Sequence, residues 1–201
     1  GTGICCFARS DSHKTFKLAG AGHSNGDLGS GFWMGVQMML AVQSRFKDDK
    51  EKRDIIPIEN LIIGKSQSKD IDSAIKALCN SDSKISEIAS LAIHLIDLGK
   101  DGNMIAKRII KEASKHIANY IISMNKSLKL RHDNILLAGY GSIIENIFFR
   151  SHVNIELKKH FNQVVWSFSK VPSEYGAGII AARVKGVNIS IVDILNMRNN
   201  A

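Results

Sequence analysis

Proline is nearly absent, with 2 in 201 residues, and aromatic residues make up only 6%. So few prolines exclude a proline-rich linker or a polyproline recognition segment. Cysteine is also scarce: Cys5, Cys6 and Cys79 make no even set and no CxxC pair. A disulfide framework and a cysteine zinc site are both excluded on that count, and the expected compartment is the cytoplasm. No apolar run approaches 18 residues, so no transmembrane helix is expected, and the first residues carry no signal-peptide pattern. Stacking aromatics do not interleave with basic residues, so no base-stacking surface for nucleic acid is expected. The pattern GxGxxG is missing, so a dinucleotide fold is not indicated.

What is present is a globular composition, with 44% hydrophobic and 23% charged residues and 28 isoleucines. Net charge is +8, and it is unevenly placed. Residues 1–100 carry 13 Lys+Arg against 12 Asp+Glu, and residues 101–201 carry 14 against 7. A basic half can attract phosphates. However, Lys107, Arg108, Lys111 and Lys115 fall on the polar side of a helical pattern, which is the ordinary solvated face.

Periodicity divides the chain into α/β ends and a helical middle. Residues 4–8 read as a strand, Asp11-Ser12-His13 as a turn, and residues 15–18 as a β-prone return, a short antiparallel meander. A helix is expected from Ser30 to about Phe46, capped by Asp27 or Ser30, followed by a charged solvated loop over 47–54. Three further helices are expected: from Asp70 or Asp72 to Asn80, from Lys84 to Leu98 with Gly99 as the stop, and one carrying Ile105, Ile109, Ala113, Ile117 and Ile121 on one face. Strand patterns return at 134–138 and 163–167. The first is followed by a helix with a Ser142-x-x-Glu145 capping box, and the second, after a loop with Pro172, by a helix rich in Gly and Ala.

Three glycine features carry candidate chemistry. Gly1-Thr2-Gly3 combines unhindered backbone N–H groups with a hydroxyl, which suits a phosphate and equally an ordinary turn. Gly139-Tyr140-Gly141-Ser142 links a strand to a helix start, where free N–H groups and the helix dipole favour anions. The run from Gly20 to Ser30 holds one carboxylate, Asp27, which either caps the next helix or accepts hydrogen bonds from a polyol; His23 is either a ligand contact or a satisfied loop residue.

Taken in order, these features resemble the C-terminal half of the N-acetylglucosamine kinase and BadF/BadG/BcrA/BcrD-type ATPase family, within the actin-like ATPase and sugar-kinase superfamily. The family's GTGS corresponds to Gly1-Thr2-Gly3-Ile4, and its sugar loop GGWGHxxGDEGSxYWIG to residues 19–35. Its adenosine motif corresponds to Leu136-Leu137-Ala138-Gly139-Tyr140-Gly141-Ser142, and its closing small-residue helix to Gly176-Ala177-Gly178. The resemblance covers residues 1–184. It implies an α/β, ribonuclease-H-like (actin-like ATPase) domain over 1–201, with a helical insertion at about 47–130. It also implies an N-terminal domain outside this sequence, where the first phosphate loop and the general-base Asp would lie. No catalytic base is therefore assigned within 1–201.

The implied activity is phosphoryl transfer from Mg-ATP to a sugar hydroxyl, with ATP and Mg2+ as cofactors, a sugar as substrate, and a homodimer built on the helical insertion. By the same resemblance Thr2 and Gly3 would hold the β- and γ-phosphates of ATP, Gly139, Gly141 and Ser142 would face the nucleotide, and Ala89, Gly176 and Ala177 would line the adenosine pocket. Ile4, Cys5, Gly20, Ala21, Gly22, His23, Ser24 and Asp27 would border the sugar. Three positions depart from the family: Ala21 replaces Trp, Leu28 replaces Glu, and Ile4 replaces Ser. All three fall on the sugar side, so the nucleotide side is the better kept. The alternatives are a partner-activating ATPase and a degenerate sugar- or nucleotide-binding regulator. The first needs cysteines around an iron–sulfur cluster, whereas the adjacent Cys5 and Cys6 point to opposite faces of a strand and Cys79 lies in the helical insertion, and all three read as core residues.

Overall fold

A computed structural model describes residues 2–10, 14–22, 27–44, 49–130, 134–169 and 173–193. The chain is mixed α/β and mostly helical. Strand β1 (Cys5–Arg9) pairs antiparallel with β2 (Thr15–Ala19), with Cys5 opposite Ala19 and Arg9 opposite Thr15. Helix α1 (Gly31–Gln43) follows, and four more helices fill the middle: α2 (Asp49–Ser66), α3 (Ile71–Asn80), α4 (Lys84–Lys100) and α5 (Met104–Ser127). Strand β3 (Asn134–Gly139), the single turn α6 (Ser142–Glu145), α7 (Ile147–Leu157), strand β4 (Gln163–Phe168) and α8 (Ser173–Val184) complete the order. Strands β3 and β4 are parallel, with Leu136 opposite Val165. The described strands form two separate two-stranded sheets, and no continuous sheet joins them.

The core is aliphatic and lies among α1, α2, α4, α5 and α7. Met34, Met38, Ile58, Ile62, Leu91, Leu95, Ile110, Phe149 and Leu157 are all fully buried within it. The five isoleucines and alanine positions expected to share one face of α5 are indeed buried: Ile105, Ile109, Ala113, Ile117 and Ile121. Burial of each of these isoleucines contributes roughly 1.5–3 kcal/mol. Lys107, Arg108, Lys111 and Lys115 lie off that buried face, and Lys115 pairs with Glu112 at 2.7 Å.

Caps set several helix starts. Ser30 accepts from the Trp33 N–H to begin α1, Asp70 accepts from the Ser73 N–H to begin α3, and Asn103 accepts from the Ala106 N–H to begin α5. Four expectations are corrected here. The charged run is helical from Asp49 onward and forms the first turns of α2; residues 47 and 48 lie outside the described ones. Ile55, Ile58 and Ile62 anchor that helix in the core, which outweighs the internal Pro57. Gly99 does not stop α4. It is buried inside the last turn, where an added Cβ would lie 2.5 Å from Ile110 Cδ1, and the positive φ of 102° belongs to Gly102. The Ser142 capping box is shifted: Gly141 is the N-cap, and Glu145 accepts from the Gly141 N–H at 3.0 Å. Cys5 and Cys79 are exposed rather than core residues, and only Cys6 is partly buried.

Candidate functional site

The glycine loop after β2 is held together by its one carboxylate. Asp27 is 6% exposed, and its Oδ1 accepts the Gly20 N–H at 2.9 Å. Its backbone carbonyl accepts the Ser30 N–H at 3.1 Å, so the residue links the loop to the start of α1. Ser30, not Asp27, supplies the side-chain cap. The other carboxylate oxygen, Oδ2, is close to Gly3: a Cβ on Gly3 would lie 2.8 Å from it. A side chain at position 3 would therefore displace Asp27. Gly20, Gly22 and Gly29 adopt φ values of 73°, 90° and 86°, the region where glycine carries no steric penalty.

The first glycine motif meets the same place from the other side. The Thr2 carbonyl accepts the Phe32 N–H at 3.2 Å, which ties the residue before Gly3 to the first turn of α1. Gly31 packs against α4 and α6: an added Cβ would meet the Ala89 carbonyl at 3.2 Å and Ile143 Cδ1 at 3.3 Å. Ala89 is thus buried beneath α1. On the far side, Gly139 ends β3 under the Phe168 ring, where a Cβ would sit 2.4 Å from Cε1. Gly141 turns with φ 110° into α6, and Ser142 is exposed.

These pieces border one cleft of 480 Å³. Gly3, Ile4 and Cys5 line it on the β1 side, Gly29 to Gly31 at the α1 start, and Gly139 and Gly141 at the end of β3. Residues more than 130 positions apart in the chain thus face the same space. The expected residues are not all gathered there. Gly20, Ala21 and Gly22 are exposed beyond β2 and do not line it. Gly176 and Ala177 lie exposed on α8, also away from it. His23 and Ser24, like Gly1, lie outside the described residues.

Two groups near the loop are electrostatically marked. Burial, reinforced by Cys5, pushes the Cys6 thiol up to about 11. Burial also raises Tyr120 of α5, the nearby Asp27 and Cys6 adding to the rise while a hydrogen bond from the Leu28 backbone opposes it. Tyr120 places a hydroxyl beside the loop that sequence reading did not single out. Its signal is weak, because it sits at the edge of a helix face whose pattern is wholly apolar. Among the described residues no group of three His, Cys, Asp or Glu side chains could hold a metal ion. No helix among them is long and apolar enough to cross a membrane.

No family model matches the chain. Over 186 residues it is 28% identical to N-acetylmuramic acid/N-acetylglucosamine kinase of Clostridium acetobutylicum, an alignment covering 90% of this chain. The chain spans 58% of the length of that curated relative.

Proposed function

We propose that the chain is part of an ATP-dependent sugar kinase, a transferase moving the γ-phosphoryl group of Mg-ATP to a hydroxyl of a sugar. The observation that carries this reading is the shared cleft. Gly3 ahead of β1, the start of α1 at Gly29 to Gly31, and the Gly139-Tyr140-Gly141 turn after β3 border one space, in a chain 28% identical over most of its length to an N-acetylmuramic acid/N-acetylglucosamine kinase. Phosphoryl transfer is mainly positioning and charge stabilisation, and such junctions bring backbone N–H groups to phosphates without side-chain obstruction. The domain would be of the actin-like, ribonuclease-H-like type.

Within it, Thr2 and Gly3 would approach the β- and γ-phosphates, and Ser142 would face the nucleotide. Gly139 and Gly141 serve the turn itself, since Phe168 fills the space over one and Glu145 takes the N–H of the other. Asp27 would order the sugar loop through Gly20 and present its second oxygen toward a sugar hydroxyl beside Gly3. Among the described residues no group of three His, Cys, Asp or Glu side chains could hold Mg2+ by itself. The ion would arrive on the nucleotide.

The test is ADP release from Mg-ATP by the full-length protein against hexoses, amino sugars and N-acetylhexosamines. Strong stimulation by one sugar is expected. Release independent of every sugar would point instead to an ATPase, and binding without turnover to a regulator.

A further inference from the structure

The two glycines of the turn after β3 are each held from behind the cleft. Gly139 and Gly141 line that space, whereas Glu145, Arg150 and Phe168 do not. The Phe168 ring packs on Gly139 so closely that a Cβ there would lie 2.4 Å from Cε1. The Gly141 N–H donates to Glu145 Oε1 at 3.0 Å. Both supports then meet at one side chain. Arg150 of α7 donates from Nη1 to the Ile144 carbonyl at 3.1 Å and to the Glu145 carbonyl at 2.9 Å. Its guanidinium carbon also stands 4.6 Å from the centre of the Phe168 ring. Contacts thus run in a circuit from Gly139 through Phe168, Arg150 and Glu145 to Gly141.

Each link has a physical reason. The last carbonyls of α6 have no partner within a single turn, and a cationic donor suits them. Phe168 is itself fixed: it stacks on Trp166, with centroids 6.0 Å apart and planes 12° apart, and Trp166 Nε1 donates to Asn154 Oδ1 of α7 at 2.7 Å. Arginine combines a planar cation for the ring face with several donors in fixed directions, which lysine does not. A helix cap alone would account for the two carbonyl contacts, but not for the ring held on Gly139.

We propose that Arg150 is a positioning residue for the nucleotide: through Phe168 and Glu145 it fixes the Gly139-Tyr140-Gly141 turn at the edge of the cleft. For what that turn holds, a nucleoside triphosphate, the inference rests on the kinase reading. Arg150 lies outside the cleft and acts by setting geometry, to which binding and transfer are steeply sensitive. The sugar loop is anchored elsewhere, by Asp27 to Gly20 and to the start of α1. Loss of Arg150 should therefore weaken the nucleotide and spare the sugar.

The experiment compares Arg150→Ala, Arg150→Lys and the parent as full-length proteins. Mg-ADP affinity is read by isothermal titration calorimetry, and KM for ATP and for the stimulating sugar by ADP release. Arg150→Ala should weaken Mg-ADP and raise the KM for ATP by about 10-fold, with the sugar KM within about 2-fold of the parent. Arg150→Lys keeps the charge without the planar fork and should recover only part of the loss. Phe168→Leu should reproduce the loss and add little to Arg150→Ala, because both break one circuit. A folded Arg150→Ala protein that binds Mg-ADP as tightly as the parent would overturn the inference, and so would KM values for ATP and sugar that rise together. If Arg150→Ala does not fold, Arg150→Lys decides, and parent-like affinity there overturns it. A parent that binds Mg-ADP but responds to no sugar sinks the kinase reading alone, and the calorimetry still judges Arg150. A parent that binds no Mg-ADP sinks both.

Discussion

Replacing Gly35 by alanine tests the packing of α1 on α4, the most extensive helix–helix contact in the fold. Gly35 is buried on α1, and a Cβ there would lie 2.2 Å from the Ile88 carbonyl oxygen and 2.7 Å from Ile88 Cγ2. Ordinary van der Waals contact begins near 3.4 Å, so the helices must part by more than 1 Å. The obstacle is backbone and cannot rotate away. Parting α1 from α4 also loosens a core that includes Met34, Met38, Leu91 and Leu95. Overpacking of this kind costs about 1–3 kcal/mol or more, and a backbone obstacle places it at the upper end. Alanine returns about 1 kcal/mol of helix propensity. The net expectation is a loss of about 2 kcal/mol, a fall in Tm of roughly 4–8 °C for a chain of this size. Gly64→Ala is the matched control, because nothing lies within 4 Å of its added Cβ in α2. It should keep the propensity gain and raise Tm by roughly 2–4 °C. Scanning calorimetry of both variants settles the point. A Gly35→Ala protein melting at or above the parent would refute the reasoning.

Asn103 both caps α5 and donates from Nδ2 to the Asp54 carbonyl, so Asn103→Ala should cost about 1–2 kcal/mol in urea unfolding, with Asn103→Asp recovering the cap alone. Cys6, its thiol pushed up to about 11, should react with iodoacetamide at pH 8 far more slowly than exposed Cys5 and Cys79, as peptide mass spectrometry would show; equal rates would contradict its burial. The sign of its pH linkage follows: the folded state keeps this proton while the unfolded chain loses it, so stability should decline as pH rises from about 9 to about 11. For the kinase reading, Gly3→Ala in the full-length protein would push Asp27 from its position and should lower sugar-stimulated ADP release by about 100-fold, with little change in Tm.

What could be read from the sequence was whatever is local. The α5 stripe from Ile105 to Ile121 repeats closely enough that only a buried helix face satisfies it, and the strands at 134 and 163 are short apolar runs bounded by turn residues. The start of α2 was illegible because its first residues are charged and Pro57 interrupts it. The decisive signal, the spacing of Ile55, Ile58 and Ile62, lies downstream of both and acts only through tertiary burial. Glycine was read too simply in the same way. Gly99 and Gly139 look like a stop and a turn, yet each is required by a neighbour that a local window does not contain: Ile110 and the Phe168 ring. The candidate site shows both sides of this limit. Asp27 stood out as the lone carboxylate of a glycine loop, but its neighbours, Gly20 seven residues back and Gly3 ahead of β1, emerge only once β1 and β2 are paired. A family pattern carries such distant pairings in coded form. That is why motifs that are each ambiguous alone meet at a cleft that Gly3 and Gly141 share, whereas Gly20 to Gly22 beyond β2, Ala89 beneath α1, and Gly176 and Ala177 on α8 do not line it.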